Sequence, residues 1–241
     1  MNKNLKIAII PGYNVEKTVG NVVKETKKYV DEVIYIDDGS FDDSREVANK
    51  NGALVIRYEP NMGKGFALRV GIKMAIMVGA DIIITLDSDG QHYPEYIPEF
   101  LKAIEEGYDV VIGSRYAGRF YTFPKNVIGN YILNFITNMI SFGPLNFLRH
   151  RWLGDTQSGY RAFRSEALKK MNLISNRYEI EGELTFEIAK NKLKVKEIPI
   201  VTKARIKGVT VIDGINNARF LFKKVLCRGV INGSKNYTNN T

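Results

Sequence analysis

The chain has 241 residues, of which 44% are hydrophobic and 25% charged. That length and mixture fit one α/β domain with a short appendage at most, and they exclude disorder as the default state. The formal net charge of +9 is unevenly placed: residues 190–241 carry twelve Lys/Arg against two Asp/Glu, so the rest of the chain is nearly neutral. A basic C-terminal region on a neutral body points to an anionic partner, either phosphates, a membrane face or nucleic acid. The single cysteine, Cys227, excludes an internal disulfide and suits a reducing compartment.

In chain order, Leu5–Ile10 reads as an apolar strand that starts too early and runs too short for a signal peptide. Glu16–Tyr29 reads as a helix, Glu32–Ile36 as a strand, Asp42–Lys50 as a short helix and Ala53–Tyr58 as a third strand. Gly65–Val78 is a helix and Ile82–Leu86 a strand, followed by the helix Pro94–Glu106 and the strand Val110–Ile112. Phe123–Phe142 is largely helical, and Gly143–Gly154 reads as a loop. Glu181–Asn191 is a helix and Val195–Ile200 the last strand. Asn130, Asn134 and Asn138 interrupt the apolar run Val127–Phe142, which marks an amphipathic or core helix and not a membrane span. Continuous apolar strands alternating with helices predict a mostly parallel sheet covered on both faces.

In such a sheet a ligand binds beyond the carboxyl ends of the strands. Pro11–Asn14, Asp37–Ser40 and Asp87–Asp89 all fall there. Asp87 and Asp89 at a turn can converge on one hard cation such as Mg²⁺ or Mn²⁺, with Gln91 and His92 beside them. Asp38 follows a strand, where a carboxylate can accept from a ribose or a base N–H. Asn61–Gly65 opens a helix, so its glycines, the helix N-terminus and Lys64 suit an anion, although the spacing is not that of a Walker loop. Arg115, Arg161, Arg164, Arg205 and Lys207 add basic clusters, and arginine suits bidentate phosphate binding.

Taken together, Pro11-Gly-Tyr13-Asn14, Asp37-Asp-Gly-Ser40, Asn61-x-Gly-Lys-Gly65, Asp87-Ser-Asp-Gly-Gln-His92, Gly113-Ser-Arg115 and Asp155-Thr-Gln-Ser-Gly-Tyr-Arg161 resemble the family 2 glycosyltransferases of GT-A fold. Within that family the likeness is to the polyprenyl-phosphate sugar synthases, the dolichyl-phosphate mannose or glucose synthases among them. The resemblance spans about Ile7 to Gly214 and implies a catalytic domain over 1–211 with a basic amphipathic tail over 212–241. It further implies that Pro11, Tyr13, Asn14 and Asp38 line a nucleotide pocket with Lys64. Asp87 would reach the ribose or the metal, and Asp89 and Gln91 would bind the metal. Arg115, Arg161 and Arg205 would face the acceptor phosphate, and Asp155 would lie near the transferred sugar. Asp89, Asp155 and Arg115 are then the catalytic candidates. The implied reaction is inverting transfer from a nucleotide-sugar, with a UDP-sugar favoured over GDP-mannose, to a polyprenyl phosphate.

Two features depart from the family's pattern. Val15 stands where a Glu often follows Tyr-Asn, and the segment Arg205–Val211 lacks the family's Ser-Lys. Two other functions compete with the lipid-phosphate reading: transfer to a sugar hydroxyl of a glycan or glycolipid, and a non-catalytic nucleotide-binding module. Nucleic-acid binding ranks last, because no aromatic–basic interleaving is present. In the tail, Ile215, Ala218, Phe222, Val225 and Leu226 share one helical face, and Asn216, Asn217, Arg219, Lys223 and Lys224 share the other. Such a helix either anchors at an anionic membrane surface or packs on the domain's own core. The expected location is peripheral, on the cytoplasmic face of a membrane. The sequons beginning at Asn232, Asn236 and Asn239 read as chance in a polar tail.

Overall fold

A computed structural model describes residues 4–116, 127–143, 152–203 and 216–225. Seven strands form one sheet: β1 (Lys6–Gly12), β2 (Glu32–Asp37), β3 (Leu54–Arg57), β4 (Ile82–Thr85), β5 (Val110–Ser114), β6 (Arg161–Arg164) and β7 (Val195–Pro199). Their order is β3-β2-β1-β4-β6-β5-β7. The helices are α1 (Glu16–Thr26), α2 (Ser44–Lys50), α3 (Lys64–Met77), α4 (Ile97–Glu105), α5 (Val127–Phe142), α6 (Ser165–Lys169) and α7 (Glu179–Lys190). An eighth, α8, covers 216–225.

Strand alternation divides the core into two layers. Ala8 and Ile10 of β1, with Val33 and Tyr35 of β2, pack against α1, α2 and α4. Ile7 and Ile9, with Ile34 and Ile36, face α3 and α7. Both faces are covered, which is why these strands read as unbroken apolar runs. Burying a side chain of this size stabilises the fold by roughly 1.5–3 kcal/mol, so the central isoleucines set the register firmly.

The sheet is parallel except for β6, which runs antiparallel to both neighbours, with Arg161 opposite Thr85 on β4 and Ile112 on β5. The sequence pattern does not announce this strand: Arg-Ala-Phe-Arg is short, with a charge at each end. Its direction has a functional consequence. An antiparallel strand begins at the edge where its parallel neighbours end, so the segment 155–160 is delivered to the carboxyl ends of β4 and β5.

The tail helix does not stand apart from the body. In α8, Leu221 is fully buried and Asn217 nearly so, the latter lying against Gly182 of α7. Lys224 Nζ sits between the buried carboxylates of Glu183 and Glu187, at 2.5 and 3.0 Å. Phe222, at 60% exposure, and Val225, at 37%, point outward. The docked edge of α8 is thus Asn217, Leu221 and Lys224, whereas Asn216, Arg219 and Lys223 of the expected polar face stay exposed. Ile215, Leu226 and the three sequons lie outside the described residues.

Candidate active site

Four parallel strands end in turns that build one side of the site. After β1, Asn14 adopts φ 53°, a left-handed conformation that asparagine tolerates better than most residues. Its Oδ1 accepts the Phe41 N–H at 2.9 Å, and its own N–H donates to Ser40 Oγ at 3.0 Å. The Pro11–Asn14 and Asp37–Ser40 turns are therefore stitched together. Pro11 is buried in β1, whereas Tyr13 stands exposed with its ring 6.3 Å from that of Phe41, edge to face.

Asp38 is buried beneath this surface. Its Oδ1 accepts the Met62 N–H at 2.7 Å and its Oδ2 the Gly63 N–H at 2.8 Å. The carboxylate thereby fixes the loop that starts α3. Gly63 caps that helix at φ 98°, where a Cβ would fall 2.6 Å from the Asn176 carbonyl. The turn aims Lys64 into the site: its Nζ lies 2.6 Å from Asp87 Oδ1 and 2.9 Å from Glu181 Oε1. Burial works against the Lys64 charge, but Asp87 and Glu181 outweigh it and raise the ammonium's pKa. Gly159 permits the approach, since a Cβ there would sit 2.9 Å from Lys64 Nζ and 3.0 Å from Asp87 Oδ1.

The Asp87-x-Asp89 turn follows β4. Asp89 Oδ1 accepts the Gln91 N–H at 3.0 Å, and His92 Nδ1 accepts the Asp87 N–H at 3.4 Å. His92 stacks on Tyr160 at 5.0 Å between centroids. Burial lowers its pKa against the pull of Asp87 and Asp89, which keeps the imidazole neutral and Nδ1 available as an acceptor. Among the described residues no cluster of three or more acidic, His or Cys side chains closes a metal site. Asp87, Asp89 and Gln91 lie within one turn, and their side chains are oxygen donors. Such a set fits Mg²⁺ or Mn²⁺, which usually keep water and substrate phosphate in their shells. The Lys64 ammonium already offsets part of the Asp87 charge at this point.

The second side of the site is the Arg115–Asp155 pair. Arg115, just past β5, donates from Nε to Asp155 Oδ2 at 2.7 Å and from Nη2 to Oδ1 at 2.8 Å. Its backbone N–H adds a third bond to Oδ2 at 3.1 Å. Burial alone would raise the Asp155 pKa, but Arg115 overrides it and holds the carboxyl below its ordinary 3.8. The same pairing raises the Arg115 pKa against its own burial.

Arg161 requires a correction. It was expected on a phosphate-binding surface, but its side chain is completely buried. It donates to the Ser158 carbonyl at 2.8 Å and the Thr156 carbonyl at 2.9 Å, and lies 3.4 Å from Glu181 Oε2. It braces the loop from below. Arg205 lies outside the described residues. Glu181, Glu197, Asn134 and Asn138 were not singled out as site residues, yet each contacts the site's framework. The asparagines were visible as polar breaks in an apolar helix, and Glu197 as a lone acid in the last strand.

Residues 7–171 match the family model described as Glycosyl transferase family 2. The chain is 34% identical to a UDP-N-acetylglucosamine–dolichyl-phosphate N-acetylglucosaminyltransferase of Methanococcus voltae, over 84% of this chain and 87% of that protein. It is 32% identical to a dolichyl-phosphate hexose transferase of Haloferax volcanii, over 91% of this chain and 92% of the relative. Among solved structures it is similar to glucosyl-3-phosphoglycerate synthase from Mycobacterium tuberculosis in complex with Mn²⁺ and UDP, with TM-score 0.69 at 20% identity. That match covers 93% of this chain and 80% of the other. The fold is that of the GT-A glycosyltransferases, and the chain belongs to glycosyl transferase family 2. It is a glycosyltransferase whose relatives by sequence include dolichyl-phosphate sugar transferases.

Proposed function

We propose that this glycosyltransferase moves a sugar from a nucleotide-sugar, preferentially a UDP-sugar, to the phosphate of a polyprenyl carrier such as dolichyl phosphate, inverting the anomeric centre. The observation that carries the phosphate acceptor is the state of Asp155. A sugar hydroxyl needs a general base with a pKa near the working pH. Asp155 sits below 3.8 with both oxygens held by Arg115, which makes it a poor base. A phosphate monoester has a second pKa of about 6 and is already ionised, so it attacks without a base.

Tyr13, Asn14 and Pro11 line the nucleotide side, and Asp38 shapes its floor. Asp87, Asp89 and Gln91 would hold Mg²⁺ or Mn²⁺, which would supply Lewis-acid neutralisation of the diphosphate leaving group. Lys64 adds a positive charge beside that diphosphate at the α3 N-terminus. Arg115 holds Asp155 through Nε and Nη2, which leaves Nη1 to take an acceptor phosphate oxygen with the pair intact. Orientation of the two reactants then supplies much of the rate.

The chain works at the surface of a membrane, on its cytoplasmic face. Tyr131, Ile132 and Phe135 form an exposed stripe on α5, and Phe222 and Val225 another on α8. Exposed apolar stripes beside basic residues suit an interface. Among the described residues no helix is long and apolar enough to cross a membrane.

The test is a donor screen with the full chain, Mg²⁺ or Mn²⁺, dolichyl phosphate and each of UDP-glucose, UDP-N-acetylglucosamine and GDP-mannose. Sugar recovered in the lipid phase from one donor, and lost with EDTA, is the expected result. Binding of a nucleotide-sugar without transfer to lipid phosphate would move the acceptor to a hydroxyl.

A further inference from the structure

The segment 153–156 has no regular secondary structure, so its backbone polar groups must find partners elsewhere. Arg161 takes the Thr156 carbonyl, and six of the other groups find partners in three side chains. Asn134 donates from Nδ2 to the Gly154 carbonyl at 2.9 Å and the Leu153 carbonyl at 3.3 Å, and its Oδ1 accepts the Thr156 N–H at 2.9 Å. Asn138 donates to the Leu153 carbonyl at 2.9 Å and accepts the Leu153 N–H at 2.9 Å. From the opposite side, Glu197 of β7 accepts the Gly154 N–H at 2.8 Å and the Asp155 N–H at 3.0 Å. One amide spans both ends of the segment, a second grips its start, and a carboxylate holds its middle.

We propose that Glu197, Asn134 and Asn138 are positioning residues that set the Asp155 carboxylate against Arg115, and through that pair set Arg115 for transfer. The inference rests on the reading of Arg115 and Asp155 as transfer machinery. Three features support it. Asn134 and Asn138 lie one turn apart on the inward face of α5, so a single rigid helix supplies five of the bonds. Glu197 is the one acid of β7 and stands next to the buried Ile198. Burial pushes its carboxyl above the usual 4.5 despite the two N–H donors that favour its charge, so the group is kept in an environment that disfavours it. Finally, the three side chains engage the main chain of the segment, so they fix where Asp155 begins and leave its carboxylate to Arg115.

The experiment compares Glu197→Gln and Asn134→Ser with wild type and with Leu168→Ala, a core deletion in α6 that removes none of the cradle's hydrogen bonds. The amide of Glu197→Gln keeps the size of the side chain but can accept only one of the two N–H groups. Two readings are taken on the full chain. The first is the Asp155 carboxyl titration by ¹³C NMR, assigned by Asp155→Asn, which needs no turnover. The second is transfer from UDP-N-acetylglucosamine to a polyprenyl phosphate with Mg²⁺, resolved into kcat and KM. In both cradle variants the Asp155 titration should move up towards its ordinary value, while Leu168→Ala leaves it in place. A misplaced pair should lower kcat by roughly ten- to a hundredfold, with donor KM little changed. An unmoved Asp155 titration in both cradle variants overturns the proposal, as does an equal shift in Leu168→Ala. If wild type transfers nothing to lipid phosphate while the titrations shift as expected, the cradle stands and the acceptor assignment falls.

Discussion

The two halves of the sheet hold their site residues in different ways. On the side of β1, β2 and β4, each candidate residue sits in the turn directly after its strand. It is fixed by neighbours in the same turn or the next one, as with Asn14 and Ser40, Asp38 and Gly63, or Asp89 and Gln91. On the side of β5, β6 and β7, Asp155 lies in an irregular segment held by side chains from α5 and β7, some twenty and forty residues distant in sequence. The first half draws its partners from neighbouring turns at the same sheet edge, even at 25 or 26 residues' separation. A segment held by remote side chains exists only when the whole domain has assembled.

The sharpest way to break the first half is Asp89→Asn. If Asp89 is one of the two carboxylates proposed to hold the metal, its loss removes several kcal/mol of leaving-group stabilisation, so transfer should fall by about three orders of magnitude. Near-normal turnover in a lipid-phase assay would end the metal assignment.

The second half is probed by Asp155→Asn. Removing one partner of a buried ion pair costs about 3 kcal/mol, read by urea unfolding at pH 7. The sign follows from the depressed pKa: the contribution is present above the ordinary value of 3.8 and is lost as pH falls through the lower folded value. The gap between variant and wild type should therefore stay constant from neutral pH down to about 4 and close below it. A gap that closed between pH 6 and 5 would show that Arg115 does not depress this carboxyl.

Lys224→Ala tests how α8 is attached. It leaves Glu183 and Glu187 buried without their shared cation, a loss of about 2 kcal/mol. Hydrogen exchange should show 216–225 opening before the sheet does; uniform protection would mean that Leu221 packing alone suffices.

The smallest effect is expected at the exposed stripes. Phe135→Ser or Phe222→Ser each removes an outward aromatic, so partition onto anionic vesicles should weaken by roughly 1–2 kcal/mol, about tenfold. Unchanged partition in both variants would refute the interfacial role of these faces.

The sequence by itself determined the sheet and one side of its site. Apolar runs of strand length, interleaved with helical periodicity and ended by Asp-rich or Gly-rich turns, fix a parallel sheet whose carboxyl edge carries Asn14, Asp38, Lys64, Asp87 and Asp89. Those signals are residue types placed at strand ends, which periodicity and turn chemistry mark without knowledge of their partners. The tertiary structure alone decided what depends on distant partners. It sent Arg161 into the interior to serve three carbonyls, although the sequence marks it only as a cation beside an acidic loop. It drew Asn217 and Lys224 of α8 inward beside Leu221, with Glu183 and Glu187 as the partners of Lys224. It also reversed β6, and with that reversal carried Asp155 to the edge where Asp87 waits. A charge's role is set by what packs around it, and spacing along the chain does not encode that.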